Sequence, residues 1–513
     1  MNSTARPRFR ESAAIVLVRG EGESLETFWV KRSDEVPFMP GFYAFLGGKV
    51  DAEDSDLAVR GAASEFENAA RACAIREAFE EAGVLVGLDG TADSPSSSRA
   101  AEPRSISRAA DPRLASLAAD RDDLLAGRVT FPDLARTRGW RFNAAALTPA
   151  GRWTTPPFAS QRFDACYYLA RLPEGQAPSI IPGELASGEW VRPLDALARW
   201  REGRAVFAAP ILWTLIALAE GEAGLPERLE MGPARSHQPV PRVELTWGIV
   251  LHAMPTKPLP PATHTNAFLV GERDMVLIDP GSGDPEALAQ LFGLIDHLAT
   301  EGRKLRMILV THHHSDHWGG VEAVRARYKV PVAAHALTGE HVKIDVALAD
   351  DERIPLTPGL RDWNLRVLHT PGHSRDHLCF LHEASDSLFC GDLVAGAGTV
   401  VIDPPDGDMG DYLASLERLI AMKPSLLLPA HGSPNGAPAG RLRGLVNHRL
   451  EREARVLAAL EAAPRSLADL VPIVYADVKP DLWSWAERSL LAHLLKLESE
   501  RRAIRAGDRW GRA

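Results

Sequence analysis

Thr311-His-His-His-Ser-Asp-His-Trp-Gly-Gly320 narrows what this chain can fold into more than any other stretch. It contains His-x-His-x-Asp-His, four metal-binding side chains in six residues: His312, His314, Asp316 and His317. The apolar run Met307-Ile-Leu-Val310 just before it reads as a buried strand. In extended backbone, residues two apart share a side, so His312 and His314 can face one ion. Asp316 and His317 point elsewhere as the chain turns into a helix, where they can serve a second ion. The spacing therefore predicts a strand-end site for two adjacent metals. Hydroxide held between two cations is a strong nucleophile at neutral pH, which predicts hydrolysis.

Such a site needs further ligands, and three later strand ends offer them. Thr370-Pro-Gly-His373 follows the apolar run 365–369, Cys390-Gly-Asp392 follows 387–389, and Pro429-Ala-His-Gly432 follows 426–428. Singly, each reads as a loop histidine or a turn aspartate. Together, in this order after His-x-His-x-Asp-His, they resemble the metallo-β-lactamase fold. That resemblance implies an αββα sandwich in which His312, His314 and His373 bind one ion and Asp316, His317 and His431 the second. Asp392 would bridge the two, and Asp316 would also act in catalysis. It implies two Zn²⁺, with iron or manganese as alternatives. His335, His341, His369 and His377 lack ligand spacing, and His313 should face away. Asp279 is expected to accept a hydrogen bond from a ligand rather than bind metal. Gly396-Ala-Gly398 is too short a glycine pattern to predict a phosphate cradle.

A second constellation lies far upstream. Arg76-Glu-Ala-Phe-Glu-Glu-Ala-Gly-Val84 puts Glu77, Glu80 and Glu81 on one helical face. These like charges sit near the helix C-terminus, where the macrodipole disfavours them, and a hard cation such as Mg²⁺ or Mn²⁺ would resolve the conflict. The alternative is a solvated acidic face with Arg76 paired to Glu80. With Gly47, Gly48 and Glu53 ahead of it, the pattern resembles the Nudix box, Gly-x5-Glu-x7-Arg-Glu-U-x-Glu-Glu-x-Gly-U, where U is apolar. Here 22 residues rather than 7 separate Glu53 from Arg76. The insertion and the wording from Cys73 to Leu85 resemble the peroxisomal coenzyme A diphosphatase branch, as do Arg152-Trp-Thr-Thr-Pro156 and Arg162-Phe-Asp-Ala165. This implies a mixed-sheet α/β/α sandwich with Mg²⁺ or Mn²⁺ on Glu77, Glu80 and Glu81. Arg76 and Glu53 would orient them, and Gly47 and Gly48 would admit a small-molecule diphosphate, of coenzyme A or nucleoside diphosphate type.

The chain, at 513 residues, exceeds one hydrophobic core. The expected order is a first domain over 8–222 with a mobile Ser/Pro-rich loop at about 87–120, then a Pro/Gly/charge-rich linker over 223–243. A second α/β domain over 244–438 and a helical, winged-helix-like domain over 439–513 complete it. Thr265-Asn-Ala-Phe-Leu-Val270, Asp411-Tyr-Leu-Ala-Ser-Leu416 and His448-Arg-Leu-Glu-Arg-Glu453 resemble the lactamase-like-2 branch, whose animal members are described as endoribonucleases acting on single-stranded RNA. Residues 490–500 would then be a winged-helix helix and 503–510 the wing. Arg501, Arg502, Arg505, Arg509 and Arg512 form a basic end on which Trp510 could stack a base.

The sequence thus predicts a bifunctional metal-dependent hydrolase acting on a diphosphate and on RNA. A glyoxalase-II-like acyl-thioester hydrolase is the competing reading of the second half, and a non-catalytic RNA-binding or scaffold protein the third. A net charge of −10 opposes broad nucleic-acid binding. No apolar run reaches the ~18–20 residues that span a bilayer. Met1–Arg10 carries three Arg but no apolar h-region, so no secretory leader is expected. Isolated Cys73, Cys166, Cys379 and Cys390 fit buried thiols and a cytoplasmic location. The oligomeric state is left open.

Overall fold

The computed structural model describes residues 9–89, 116–159, 161–236 and 241–513. They form two compact units that divide between Thr246 and Trp247.

In the first unit the strand Arg10–Arg19 is central, and its residues 13–18 are buried without alternation. A strand covered on both faces reads this way. It pairs antiparallel with Glu26–Arg32 and Leu46–Lys49, and parallel with Phe163–Arg171. Thr148–Thr154, Tyr43–Ala44 and Leu185–Val191 complete the sheet. The helix Glu65–Ala82 lies against it. The Ser64 side chain accepts from the Glu67 amide to start the helix, and Gly83 at φ 69° ends it. Gly48 lets strand and helix approach, and Gly47 lets its strand sit close against Arg10–Arg19. A Cβ at Gly48 would lie 2.2 Å from Glu77 Oε1, and one at Gly47 would lie 2.4 Å from the Ala13 carbonyl.

Most of the Ser/Pro-rich stretch expected as a mobile loop lies outside the described residues, and its far end is already the helix Leu117–Leu125. The linker expectation needs correcting. Leu225–Ser236 is a helix that buries Leu225, Leu229, Gly232 and Ser236. Those positions recur at helical spacing inside a Pro/Gly/charge-rich composition, and a Cβ on Gly232 would already crowd the Trp153 ring.

The second unit stacks two sheets. One contains Ile249–Pro255, His264–Val270, Asp274–Ile278, Lys304–Leu309, Val332–His335 and Val346–Leu348 in that order. The other runs Arg353–Ile354, Leu365–His369, Leu378–His382, Ser387–Gly391 and Leu426–Pro429. Phe268 of the first meets Phe389 of the second edge to face at 5.2 Å. Helix Pro285–Thr300 buries Leu291, Leu294 and Leu298, and helix Met409–Met422 packs Tyr412, Leu416 and Leu419 among Leu368, Leu388 and Leu427 of the second sheet. These are the layers of the expected αββα sandwich.

Helix Pro438–Ala462 then leads into Leu467–Val474, Trp483–Ser499 and the hairpin Ala503–Ala506/Arg509–Arg512, which is the expected helix-and-wing arrangement. The stacking role foreseen for Trp510 does not survive. Trp510 is 1% exposed and packs with Leu470, Leu490 and Leu494, while Arg505 covers its ring at 5.4 Å. Alternation along the hairpin turns Trp510 to the core and Arg509 to the opposite face. Two of those arginines are also paired, Arg502 with Glu453 and Arg512 with Glu461. Among the described residues no helix is long and apolar enough to cross a membrane.

Candidate metal centres

Strand Lys304–Leu309 gives way to Val310 and Thr311, and the chain passes through His312–His314 into the short helix Ser315–Trp318. His373, Asp392 and His431 each follow the end of a strand in the second sheet, so four chain segments converge. His314 Nδ1 lies 2.9 Å from His312 Nε2 and 3.1 Å from His373 Nε2. His373, in turn, lies 3.7 Å from Asp392 Oδ2. On the other side His431 Nε2 is 3.4 Å from Asp316 Oδ2 and 3.3 Å from Asp392 Oδ1, with His317 Nε2 3.6 Å from the same Oδ1. His312, His314, His373 and Asp392 thus form one donor group, Asp316, His317 and His431 a second, and Asp392 faces both. All seven side chains singled out in the sequence come together here.

The donor set fits a pair of transition-metal ions. Thr311 Oγ1 donates to Asp279, so it accepts from His312 Nδ1, which leaves the His312 Nε2 lone pair free. His317 Nδ1 donates to Asp279, His373 Nδ1 to the Val401 carbonyl and His431 Nδ1 to the His264 carbonyl. Each ring is fixed in the tautomer that turns a lone pair inward. Among the described residues, buried His317 Nε2 and Asp392 Oδ1 have no hydrogen-bond partner. Burial opposes a charged Asp392, yet His431 and His317 outweigh it and hold the carboxyl well below its usual range. Burial likewise pulls His431 down, but Asp392 and Asp316 raise it to about 10. The pocket is built to balance a buried negative charge with cationic charge.

The remaining histidines fall mostly as expected. His313 turns Nδ1 aside to Asp376 at 2.9 Å and stacks on His341, but it also forms a third donor group with His314 and Asp406, its Nε2 3.7 Å from Asp406 Oδ2. Asp279 accepts from the Thr311 amide and hydroxyl as well as from His317. His377 is the exception. It is fully buried, its Nε2 accepts from the Asp392 amide at 3.1 Å, and its Nδ1 donates to Thr370 Oγ1 at 2.9 Å. Spacing gave no sign of it, although its place directly before an apolar strand was a signal of burial. Asn266, in the stretch Thr265–Val270, has no ligand-like spacing of its own. Its side-chain amide donates to the carbonyls of Pro429 and Gly432 and so holds the turn that carries His431.

In the first unit Arg76 is the organising residue. It grips buried Asp54 through Nε and Nη2 at 2.8 and 2.9 Å, and its Nη1 donates to Glu77 at 2.8 Å and Glu80 at 3.2 Å. Glu81 accepts from the Gly47 amide at 2.8 Å. Glu53, expected to orient this group, is exposed on the turn Ala52–Asp56, and Asp54 takes that place. Counted from Gly48 instead of Gly47, the Gly-x5-acidic spacing lands on Asp54. Burial, with the Glu77 charge, raises Glu81 to about 8. Burial, together with Glu80, also raises Glu77 to about 7 against the pull of Arg76. Carboxylates held this unfavourably suit a hard divalent cation. Among the described residues, however, the donor groups tight enough for one ion all lie in the second unit.

Comparison with known proteins agrees with both units. Residues 260–431 match the metallo-beta-lactamase superfamily model, 466–510 the beta-lactamase associated winged helix domain, and 60–218 the NUDT19 Nudix domain. The beta-lactamase-like protein 2 homolog of Drosophila melanogaster is 33% identical over 249 residues, 46% of this chain and 82% of that protein. The lactamase-like protein nscB of Trichophyton rubrum is 35% identical over 201 residues, covering 38% of this chain and 58% of that protein. Among solved structures, a metallo-beta-lactamase family protein of Thermus thermophilus is 24% identical with a TM-score of 0.44, covering 53% of this chain and 100% of that one. A Nudix hydrolase from Alicyclobacillus acidocaldarius is 26% identical with a TM-score of 0.36, covering 45% and 100%.

Proposed function

The chain belongs to the metallo-beta-lactamase superfamily through its second unit and carries a Nudix domain in its first, and from that premise we propose a hydrolase with two separate centres. The observation that carries the reading is the single carboxylate of Asp392 turned toward both donor groups. A metal pair there would lower the pKa of bound water to about 7 and so supply a nucleophile at neutral pH. His312, His314 and His373 would hold one ion and Asp316, His317 and His431 the other. Asp316, partly open to solvent, can accept the proton that the attacking water gives up. The buried rings of His312 and His317 exclude bulk water from the floor of the site.

In the first unit Glu77, Glu80 and Glu81 would hold Mg²⁺ or Mn²⁺, with Arg76 orienting Glu77 and Glu80 and the Gly47 amide orienting Glu81. The missing Cβ of Gly48 lets the strand backbone lie directly against Glu77. The substrate of this half is a diphosphate joined to a second moiety, of coenzyme A or nucleoside type.

For the second unit, the likeness to the lactamase-like-2 branch supports hydrolysis of RNA phosphodiesters. Acyl-thioester hydrolysis is the second reading. It is favoured by the burial of Trp510 and the pairing of Arg502 and Arg512, which remove three handles for single-stranded RNA. A panel of short RNA, acyl-CoA esters, other thioesters, nucleotide sugars and dinucleotides, with and without Mg²⁺, decides between them. Glu80→Gln should abolish diphosphate hydrolysis and spare the other activity, and Asp392→Ala should do the reverse. Loss of both activities in either variant would contradict two separate centres.

A further inference from the structure

The segment from Leu393 to Pro405 leaves the Asp392 turn, and Val401 within it supplies the carbonyl that fixes the His373 ring at 2.9 Å. Its neighbours are held from the C-terminal helices. The Val400 carbonyl accepts from Arg449 Nη2 at 2.5 Å, and the Ile402 amide donates to Ser489 Oγ at 3.2 Å. Arg449 and Ser489 are 2% and 4% exposed. Ile402 is itself fully buried, in a cluster with Leu442, Leu445 and Ala492. Farther out, Arg441 donates to the Ala395 and Gly398 carbonyls at 2.6 Å, and Arg488 to the Pro404 carbonyl at 2.9 Å.

We propose that the C-terminal domain is a positioning clamp for the first ion site, with Ser489 and Arg449 fixing Val401 from both sides so that its carbonyl locks His373. The inference rests on the metal-centre reading above. A histidine ligand whose other nitrogen loses its acceptor can rotate and change tautomer, which weakens its hold on an ion. The ligand rings of the second site take their acceptors elsewhere, His431 from the His264 carbonyl and His317 from Asp279, and the segment meets His431 at Gly396, away from residues 400–402, where its amide donates to the His431 carbonyl. The clamp therefore predicts a defect confined to one of two adjacent sites.

The test uses the full chain, stripped of metal and titrated with Co²⁺. Three imidazoles in the first site and two in the second give separable spectra. Ser489→Ala and, independently, Arg449→Lys should weaken the first site by about 10–100-fold, the cost typical of removing an outer partner of a ligand. Second-site affinity and the thermal midpoint of the metal-free protein should stay at wild-type values, and Ser489→Thr should restore the first site. Wild-type affinity at both sites in Ser489→Ala and Arg449→Lys would overturn the clamp. So would equal weakening of both sites with a lowered midpoint, which marks a merely structural role. A wild-type chain that takes up fewer than two ions would instead overturn the metal-centre reading itself.

Discussion

The Asp392 amide donates to His377 Nε2, so a buried histidine outside both donor groups fixes the backbone of the residue they share. His377 in turn donates to Thr370, three residues before His373. His377→Ala should therefore lower metal affinity and turnover together by about 10–100-fold. Equilibrium metal titration beside steady-state kinetics checks this, and unchanged affinity would assign His377 to packing alone.

Asp54, not Glu53, is the partner that holds Arg76. The Asp54 side chain is 2% exposed and that of Arg76 9%, so Asp54→Asn leaves a buried guanidinium short of its counter-charge. Breaking such a pair from one side typically costs about 3–5 kcal/mol. Glu53→Gln should be silent in both denaturant unfolding and Mg²⁺-dependent diphosphate hydrolysis. A larger effect at Glu53 than at Asp54 would reverse the assignment.

Glu77 and Glu81, raised to about 7 and about 8, give the first unit a predictable pH response. Both folded values lie above the ordinary carboxylate value of 4.5, so folding favours the protonated forms. Their contribution to stability is complete below about 4.5 and is lost as pH rises through about 7 to about 8. A divalent cation binds the ionised forms and opposes that loss. Added Mg²⁺ should hardly move the unfolding midpoint of this unit near pH 4.5 and should raise it most above about pH 8. A Mg²⁺ effect independent of pH would disconnect the two carboxylates from the cation.

Trp510→Ala should act on stability rather than on RNA affinity. Removing so large a buried side chain typically costs about 3–5 kcal/mol. Arg501→Ala, at an exposed position, should leave the fold unchanged. Unfolding curves and titrations with a fluorescent single-stranded oligonucleotide separate the two effects. A selective loss of RNA binding in a fully stable Trp510→Ala protein would restore the stacking role.

The ligands of the second unit were legible because each stands at a strand end or in one six-residue run, where backbone geometry alone limits where a side chain can point. The residues that support them were not. His377 and Asn266 act through hydrogen bonds to backbone, and such bonds leave no periodicity in a sequence. Asp54 is hidden because two adjacent glycines give two starts to the same spacing, and the one at Gly47 lands on a glutamate. The helix Leu225–Ser236 was hidden by a composition that looks like a linker, since a few small and apolar residues at helical intervals suffice to dock it. Trp510 was misread because net charge describes a segment while burial is decided one side chain at a time.

Asn266 joins an early strand of the second unit to carbonyls that lie 163 and 166 residues later. A ribosome-bound chain that has already exposed His312 to His317 therefore carries only a fragment of the centre, able to attract ions without enclosing them. The complete pocket is a late, high-contact-order event, and uptake of the full metal complement would report that the unit has closed.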